Sequence, residues 1–341
     1  MDKDSISGSG MYGWHRLMKT AFGWSSTVDF LPAIPAAIAL YLSLYFFGLV
    51  LYHCTKLIVP KSIRGYVHDF IKTLIIVAYP FGHGILRKYH GEVGYMCGMV
   101  PVLFITTSTL KEGDGNPIAV WLQYFRRTIP LWKCLLKNFI QIVAGISAYH
   151  LGMYILGLEL HPAYVERLKS YYNQFCDTDL HVTEYAGFLI ECVAVVYDSW
   201  FWAQTFTRSP ALDRLLKIIN GGLLVVAGVH LTGMYLHPAM ASGHTWGCGD
   251  TSKLTHVAIY WVGPMIGTWI SIQIQKKISI GKPVTETPRS RTQNEGKRLA
   301  TMNKRRNVSE LPKFLKRYQP YPCLSDGNYF KNKHFCVDCL E

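Results

Sequence analysis

The chain has 341 residues, half of them hydrophobic and only 17% charged, with a formal net charge of +13. So few charges on so apolar a chain exclude an ordinary soluble domain and point to an integral membrane protein. The positive charge is concentrated: from Gln275 onward fifteen Lys/Arg face six Asp/Glu, which leaves +9 on a C-terminal tail that reads as a polar appendage.

Seven stretches supply the roughly 20 apolar residues that a bilayer crossing needs. They run over 31–54, 67–85, 93–110, 134–156, 182–205, 215–231 and 256–274. The first is longer than the core of a signal peptide and is followed by no A-x-A-like cleavage site. The fifth carries Glu184, Glu191 and Asp198 inside it. Lysine and arginine favour the cytoplasmic side of a membrane. That rule places Lys56, Lys61 and Arg64, then Arg126, Arg127, Lys133 and Lys137, then Arg208, Arg214 and Lys217 there, together with the tail. The mixed-charge segment 159–179 then falls on the outer or lumenal side. Arg87 and Lys88 are a minor contradiction, because the same scheme puts them outside. The sequon Asn307-Val308-Ser309 falls in the cytoplasmic tail and is expected to be unused.

Two of the apolar stretches end in the same kind of interruption. "KEGDGNPIAVWLQYF" (111–125) and "LTGMYLHPAM" (231–240) both place glycine, then a polar residue, then proline at the start of a new short helix. Asn116 and His237 are 121 positions apart. Adding 121 to 67–85, 93–110 and 134–156 lands on or near the fifth, sixth and seventh stretches. The chain therefore reads as two copies of helix, helix, half-helix, helix. Each copy has three spans, so the second sits inverted relative to the first, and 31–54 lies outside the repeat as an extra N-terminal helix. Inverted repeats of this kind build midplane sites from half-helix N-termini. Proline at the first helical position loses no hydrogen bond, and asparagine is a favoured cap before it. Two such N-termini present partial positive charge at mid-depth. Non-helical backbone is tolerated there only where it lines a wet cavity or packs on protein. Such a line of carbonyls is a path for a neutral, hydrogen-bonding solute.

The motifs Asn116-Pro117-Ile118 and His237-Pro238-Ala239 in this repeat resemble the aquaporin (major intrinsic protein) family, over about residues 65–276. Thr232-Gly233 before the second motif and Tyr260-Trp261-Val262-Gly263-Pro264 in the last span are similar to the family as well. The altered third residue of the first motif and first residue of the second fit its divergent branch, the superaquaporins or unorthodox aquaporins. The resemblance implies an all-α membrane protein of six transmembrane helices plus two re-entrant half-helices, with the additional N-terminal hydrophobic helix. It also implies that Glu191 braces the second re-entrant loop. The counterpart of Glu191 is expected near Phe70–Lys72, where no acid stands.

By the same resemblance the constriction falls at Met96, Val225, Met234 and Met240, with methionine where water-selective members carry arginine. Three methionines and a valine make an adaptable apolar ring without fixed cation exclusion. The implied function is a passive channel with slow water flow, glycerol or hydrogen peroxide being further solutes. The alternatives are a non-conducting membrane scaffold of the same fold, and an enzyme built on intramembrane histidines and carboxylates. His237 stands open to two readings: a protonatable gate near the midplane, or a neutral substitute for asparagine as donor and cap. His83, His150, His230 and His237 show no metal-ligand spacing, and no metal, cofactor or catalytic residue is expected. Asp198 lies seven residues after Glu191 and receives no role.

The nine cysteines are scattered and demand no disulfide framework. Cys323, His334, Cys336 and Cys339 form a weak zinc signature in a tail that reads as disordered. The expected organisation is an N-terminal region (1–64), a channel domain (65–276, with repeats at about 67–156 and 182–276) and a basic tail (277–341). Expected partners are the lipid bilayer, small neutral solutes, anionic headgroups at the tail and three further copies in a homotetramer, with no nucleic acid. The family favours an intracellular membrane, the endoplasmic reticulum, with the plasma membrane as alternative.

Overall fold

The structure, a computed structural model, describes residues 30–173 and 176–278. The sequon, the cysteine–histidine group and most of the basic tail lie outside the described residues. Among the described residues there is no strand. The helices are α1 (Ala33–Ile58), α2 (Lys61–Ala78), α3 (Pro80–Thr109), α4 (Pro117–Phe125), α5 (Leu131–Leu156), α6 (Pro162–Tyr172), α7 (Glu184–Ala203), α8 (Pro210–Thr232), α9 (Pro238–Thr245), α10 (Lys253–Val257) and α11 (Gly263–Lys277). A single π-helical turn, Ala258–Val262, joins the last two.

Six helical stretches among the described residues are long and apolar enough to cross a membrane. One of them, Lys61–Thr109, runs for 49 residues, or about 74 Å at 1.5 Å per residue, far more than a ~30 Å hydrocarbon core. It is not straight. Gly91 takes φ 64° and ψ −160°, and a Cβ on Gly98 would lie 2.4 Å from Leu86 Cδ1. Residues 12 apart would be about 18 Å apart along one continuous helix, so the chain turns back at Gly91. The stretches expected at 67–85 and 93–110 are the two arms of this hairpin. Near the turn, Arg87 bonds Glu92 at 2.9 Å and Lys88 bonds Glu166 at 2.9 Å. The two cations that contradicted the charge rule are therefore paired.

The packing repeats itself. α2 lies along α5 as α7 lies along α11, and α4 rests on α11 and α5 as α9 rests on α5. Glycine sets the closest approach: a Cβ on Gly145 of α5 would stand 2.3 Å from the Ala239 carbonyl oxygen of α9. α1 seats against α2 and α3. Ile75 fills the space that a side chain at Gly48 would take, and Tyr41 donates to or accepts from His83 Nδ1 at 2.6 Å. A large apolar core of Leu40, Leu44, Ile75, Tyr79, Ala144 and Leu156, all almost fully buried, joins α1, α2, α3 and α5.

One expectation is corrected here. Cys176 and Cys248 form a disulfide across 72 residues, although the cysteine spacing gave no sign of a framework. Neither cysteine belongs to a local motif; the fold brings together the segments before α7 and after α9.

Candidate functional site

Two short helices start at related points of the repeat. Asn116 is extended, with φ −148°, and its Oδ1 accepts the Ile118 amide at 2.9 Å, while Pro117 opens α4. His237 is extended likewise, with φ −156°, and its Nδ1 accepts the Met240 amide at 3.2 Å, while Pro238 opens α9. Each cap residue then reaches across to the other copy. Asn116 Nδ2 donates to the Leu236 carbonyl at 3.1 Å, and His237 Nε2 donates to the Gly115 carbonyl at 2.8 Å. The two acceptors immediately precede the two caps, so the bonds are reciprocal. With Nδ1 accepting and Nε2 donating, the partners assign the neutral Nε2–H tautomer to His237.

The backbone leading into each cap repeats too. Gly113 (φ 89°) and Gly115 (φ 73°) correspond, at the same 121-residue offset, to Met234 (φ 42°) and Leu236 (φ 49°). Glycine enters this left-handed region freely, whereas methionine and leucine need surrounding contacts to hold them there.

Those contacts come from Glu191, which is 1% exposed. It accepts the Thr232 hydroxyl at 2.8 Å and the Tyr235 amide at 3.2 Å. Thr232 Oγ1 accepts in turn from the Met234 amide at 3.2 Å. The Tyr260 hydroxyl, carried on the π-helical turn, donates to the Thr232 carbonyl at 2.8 Å. The Tyr235 hydroxyl donates to the Asp179 carboxylate.

The first loop has its own brace, and the expectation of no acid there is corrected. Asp69, one residue before the 70–72 window, is fully buried and accepts the Asp114 amide. Lys137 bridges Asp69 at 2.9 Å and Asp114 at 2.6 Å, and Lys72 donates to the Gly113 carbonyl at 2.9 Å. The charge pattern had assigned Lys137 only to a cytoplasmic flank; its spacing to Asp69 and Asp114 spans three separate segments and leaves no local signal. α1 touches this loop as well, where Lys56 lies 3.5 Å from Glu112 and the Tyr52 hydroxyl accepts the Glu112 amide.

The four residues expected at the constriction have these packing neighbours. Met234 and Val225 pack with Ile118 of the first motif, and with Ala194, Val195 and Leu236. Met96 lies with Met99 beside Gly222 of α8. Met240 packs at the edge of the large core. The histidines disperse: His83 meets Tyr41, His150 lies 3.2 Å from the Tyr171 hydroxyl, and His230 contacts Arg87. Asp198 accepts from Asn220 at 3.5 Å.

The fold and these paired caps define a multi-pass helical membrane protein with two short helices joined end to end by their N-termini. No family model matches the chain. Among curated proteins it is similar to Aquaporin-11 of Milnesium tardigradum, 21% identical over 227 residues that make up 66% of this chain and 81% of that protein. It is also similar to Aquaporin-12 of Mus musculus, 23% identical over 184 residues, 52% of this chain and 61% of that protein. The chain is a divergent relative of the aquaporins, on the superaquaporin side of that family.

Proposed function

We propose that the chain is a passive transmembrane channel for water and small neutral solutes, glycerol and hydrogen peroxide among them. The observation that carries this reading is the reciprocal pair of bonds from Asn116 to Leu236 and from His237 to Gly115. In this reading α4 and α9 are re-entrant half-helices in an inverted repeat of six core spans, and α1 is an additional N-terminal helix. Their N-termini offer donors and partial positive charge at mid-depth. The left-handed loops before them supply a line of carbonyls for a hydrogen-bonding solute. Met96, Val225, Met234 and Met240 are the constriction, Glu191 braces the second loop, and four copies assemble in an intracellular membrane, with the basic tail on anionic headgroups. Both ring nitrogens of His237 are already engaged, which favours its role as cap and donor over that of a pH gate.

A second reading has one observation in its favour. Ile118, Met234 and Leu236 are each less than a tenth exposed, which suits a plugged, non-conducting scaffold. Stopped-flow swelling of proteoliposomes under water and glycerol gradients, with peroxide uptake in the same vesicles, separates the two. A channel gives flux above empty liposomes; His237→Ala alters that flux and His237→Asn restores it. Folded protein that passes none of the three solutes establishes the scaffold.

A further inference from the structure

The two halves differ in what covers their outer face. α1 seats across α2 and α3. At the 121-residue offset that pair corresponds to α7 and α8, and among the described residues no helix seats across those two in the same way. The groove between them has a volume of about 810 Å³, within the usual range of small-ligand sites. Leu189, Val193 and Leu223 form its walls and are 42%, 63% and 56% exposed. Its floor is Ala194 and Met234, each 6% exposed. Both helices are long and apolar enough to cross a membrane, so the groove faces hydrocarbon.

One end of the groove is polar. The Tyr197 hydroxyl donates to Asn220 Oδ1 at 3.1 Å in a solvent-exposed bond, and both residues line the groove. Asn220 Nδ2 donates in turn to Asp198 Oδ1 at 3.5 Å. These bonds leave the Tyr197 oxygen free to accept and one Asn220 N–H free to donate. Polar groups exposed within a span are costly in hydrocarbon and mark functional sites.

The surroundings select the group that answers them. Among the described residues no Lys, Arg or His lines the groove, and the Asp198 carboxyl group lies behind Asn220. A phosphate headgroup therefore finds no counter-ion here. A plain acyl chain offers neither donor nor acceptor, and nor does the exposed stripe of Ile34, Ile38, Leu42 and Phe46 on α1 of a second copy. A hydroxyl offers both. From Tyr197 the apolar part of the groove runs back to Leu189, about 12 Å along α7. A rigid body filling it loses less freedom on binding than a flexible chain.

We propose that the α7–α8 groove binds a sterol, with its hydroxyl between Asn220 and Tyr197 and its ring body over Ala194 and Met234. The occupant bears on the paired helices from the lipid side. Ala194 and Met234 belong to the same apolar cluster as Ile118 and Leu236, and Met234 holds a left-handed φ of 42°. A sterol against Met234 adds a contact to a residue whose backbone depends on its surroundings. Binding does not require conduction, so a channel and a scaffold would both show it.

The test uses the full chain in phosphatidylcholine vesicles with a diazirine-bearing cholesterol, and maps the labelled peptides by mass spectrometry. Label is expected in α7 and α8, displaced by excess cholesterol and not by its methyl ether, which cannot donate. Asn220→Leu should weaken the apparent affinity for cholesterol by roughly three- to tenfold. Val193→Trp, which fills the groove from the lipid side, should remove the label from both helices. Label spread evenly over all lipid-facing helices, or equal displacement by the methyl ether, overturns the proposal. So does stronger displacement by dioleoylglycerol, which would make an acyl lipid the occupant, or a disulfide between two Leu223→Cys chains, which would make it a second copy. Where Asn220→Leu does not fold, Tyr197→Phe takes its place, because it removes the accepting oxygen and leaves Asn220 on Asp198.

Discussion

Glu191 and Asp69 hold equivalent loops by different chemistry. Glu191 alone accepts the hydroxyl and amide of its loop, whereas Asp69 shares Lys137 with Asp114. Glu191→Ala strands the Thr232 hydroxyl and the Tyr235 amide, and should lower stability by about 2–5 kcal/mol. Glu191→Gln keeps an acceptor oxygen and should cost less than half as much; thermal unfolding in detergent reads both. The two glycines of the first loop allow a sharper comparison. Alanine at either is strained by about 1–2 kcal/mol in the left-handed region. At Gly113 the new Cβ also meets the His68 backbone at 2.7 Å, while at Gly115 it meets only the flexible Lys72 chain at 2.9 Å. Gly113→Ala should therefore destabilise more than Gly115→Ala, and equal melting temperatures would refute that account. Asn116 and His237 were legible in the sequence because each precedes a proline and the two lie 121 residues apart, whereas Glu191 was read only from the family resemblance. Asp69 was not legible, because its side chain reaches the loop from one position earlier than the 121-residue repeat requires.

The spans were legible as elements, since twenty apolar residues in a row leave few alternatives. The polar run from Arg87 to Glu92 already separated the two arms; what it could not show was that helix continues through it on both sides of a turn at Gly91. Nor could apolarity show α6, which is too short and polar to register as a membrane stretch. α6 depends on its cap: His161 Nδ1 accepts the Ala163 amide at 3.0 Å, which only the unprotonated nitrogen can do. Burial, and then Lys88, hold the His161 imidazole below its ordinary value of 6.5. The folded state therefore binds fewer protons than the unfolded one around that pH, so the contribution is present above about 6.5 and is lost as the pH falls below it. Amide-exchange protection across α6 should weaken on acidification through that range. His161→Asn, which keeps a capping oxygen, should remove the dependence.

At the level of the whole molecule, two connections hold distant parts of the chain together. The Cys176–Cys248 disulfide closes a 72-residue separation, and chain entropy for a loop of that length gives a stabilisation of about 4 kcal/mol. Cys176→Ser, or a phosphine reductant on the wild type, should lower the unfolding temperature by the same amount, and the reductant should do nothing further to the variant. The bond was invisible in the sequence because its partners share no motif and meet only once the segments beyond α6 and α9 are folded. The 121-residue offset, by contrast, was visible, and Gly113, Gly115, Met234 and Leu236 take positive φ at that offset.

The reciprocal bonds also impose an order of events during synthesis. Asn116 and the Gly115 carbonyl find their partners only at residues 236 and 237. At about 5–20 residues per second the ribosome needs roughly 6–24 s to add the intervening stretch. If α4 is the re-entrant half-helix proposed above, it has for that interval polar groups that hydrocarbon will not accept unpaired, and it waits at the water surface or under cover of the insertion machinery. A nascent chain ended after α7 should leave a cysteine placed at Ile118 open to a water-soluble thiol reagent, mapped by mass against the native cysteines. Release of the full-length chain should close it. The first half of this protein is thus finished as sequence long before it can be finished as structure.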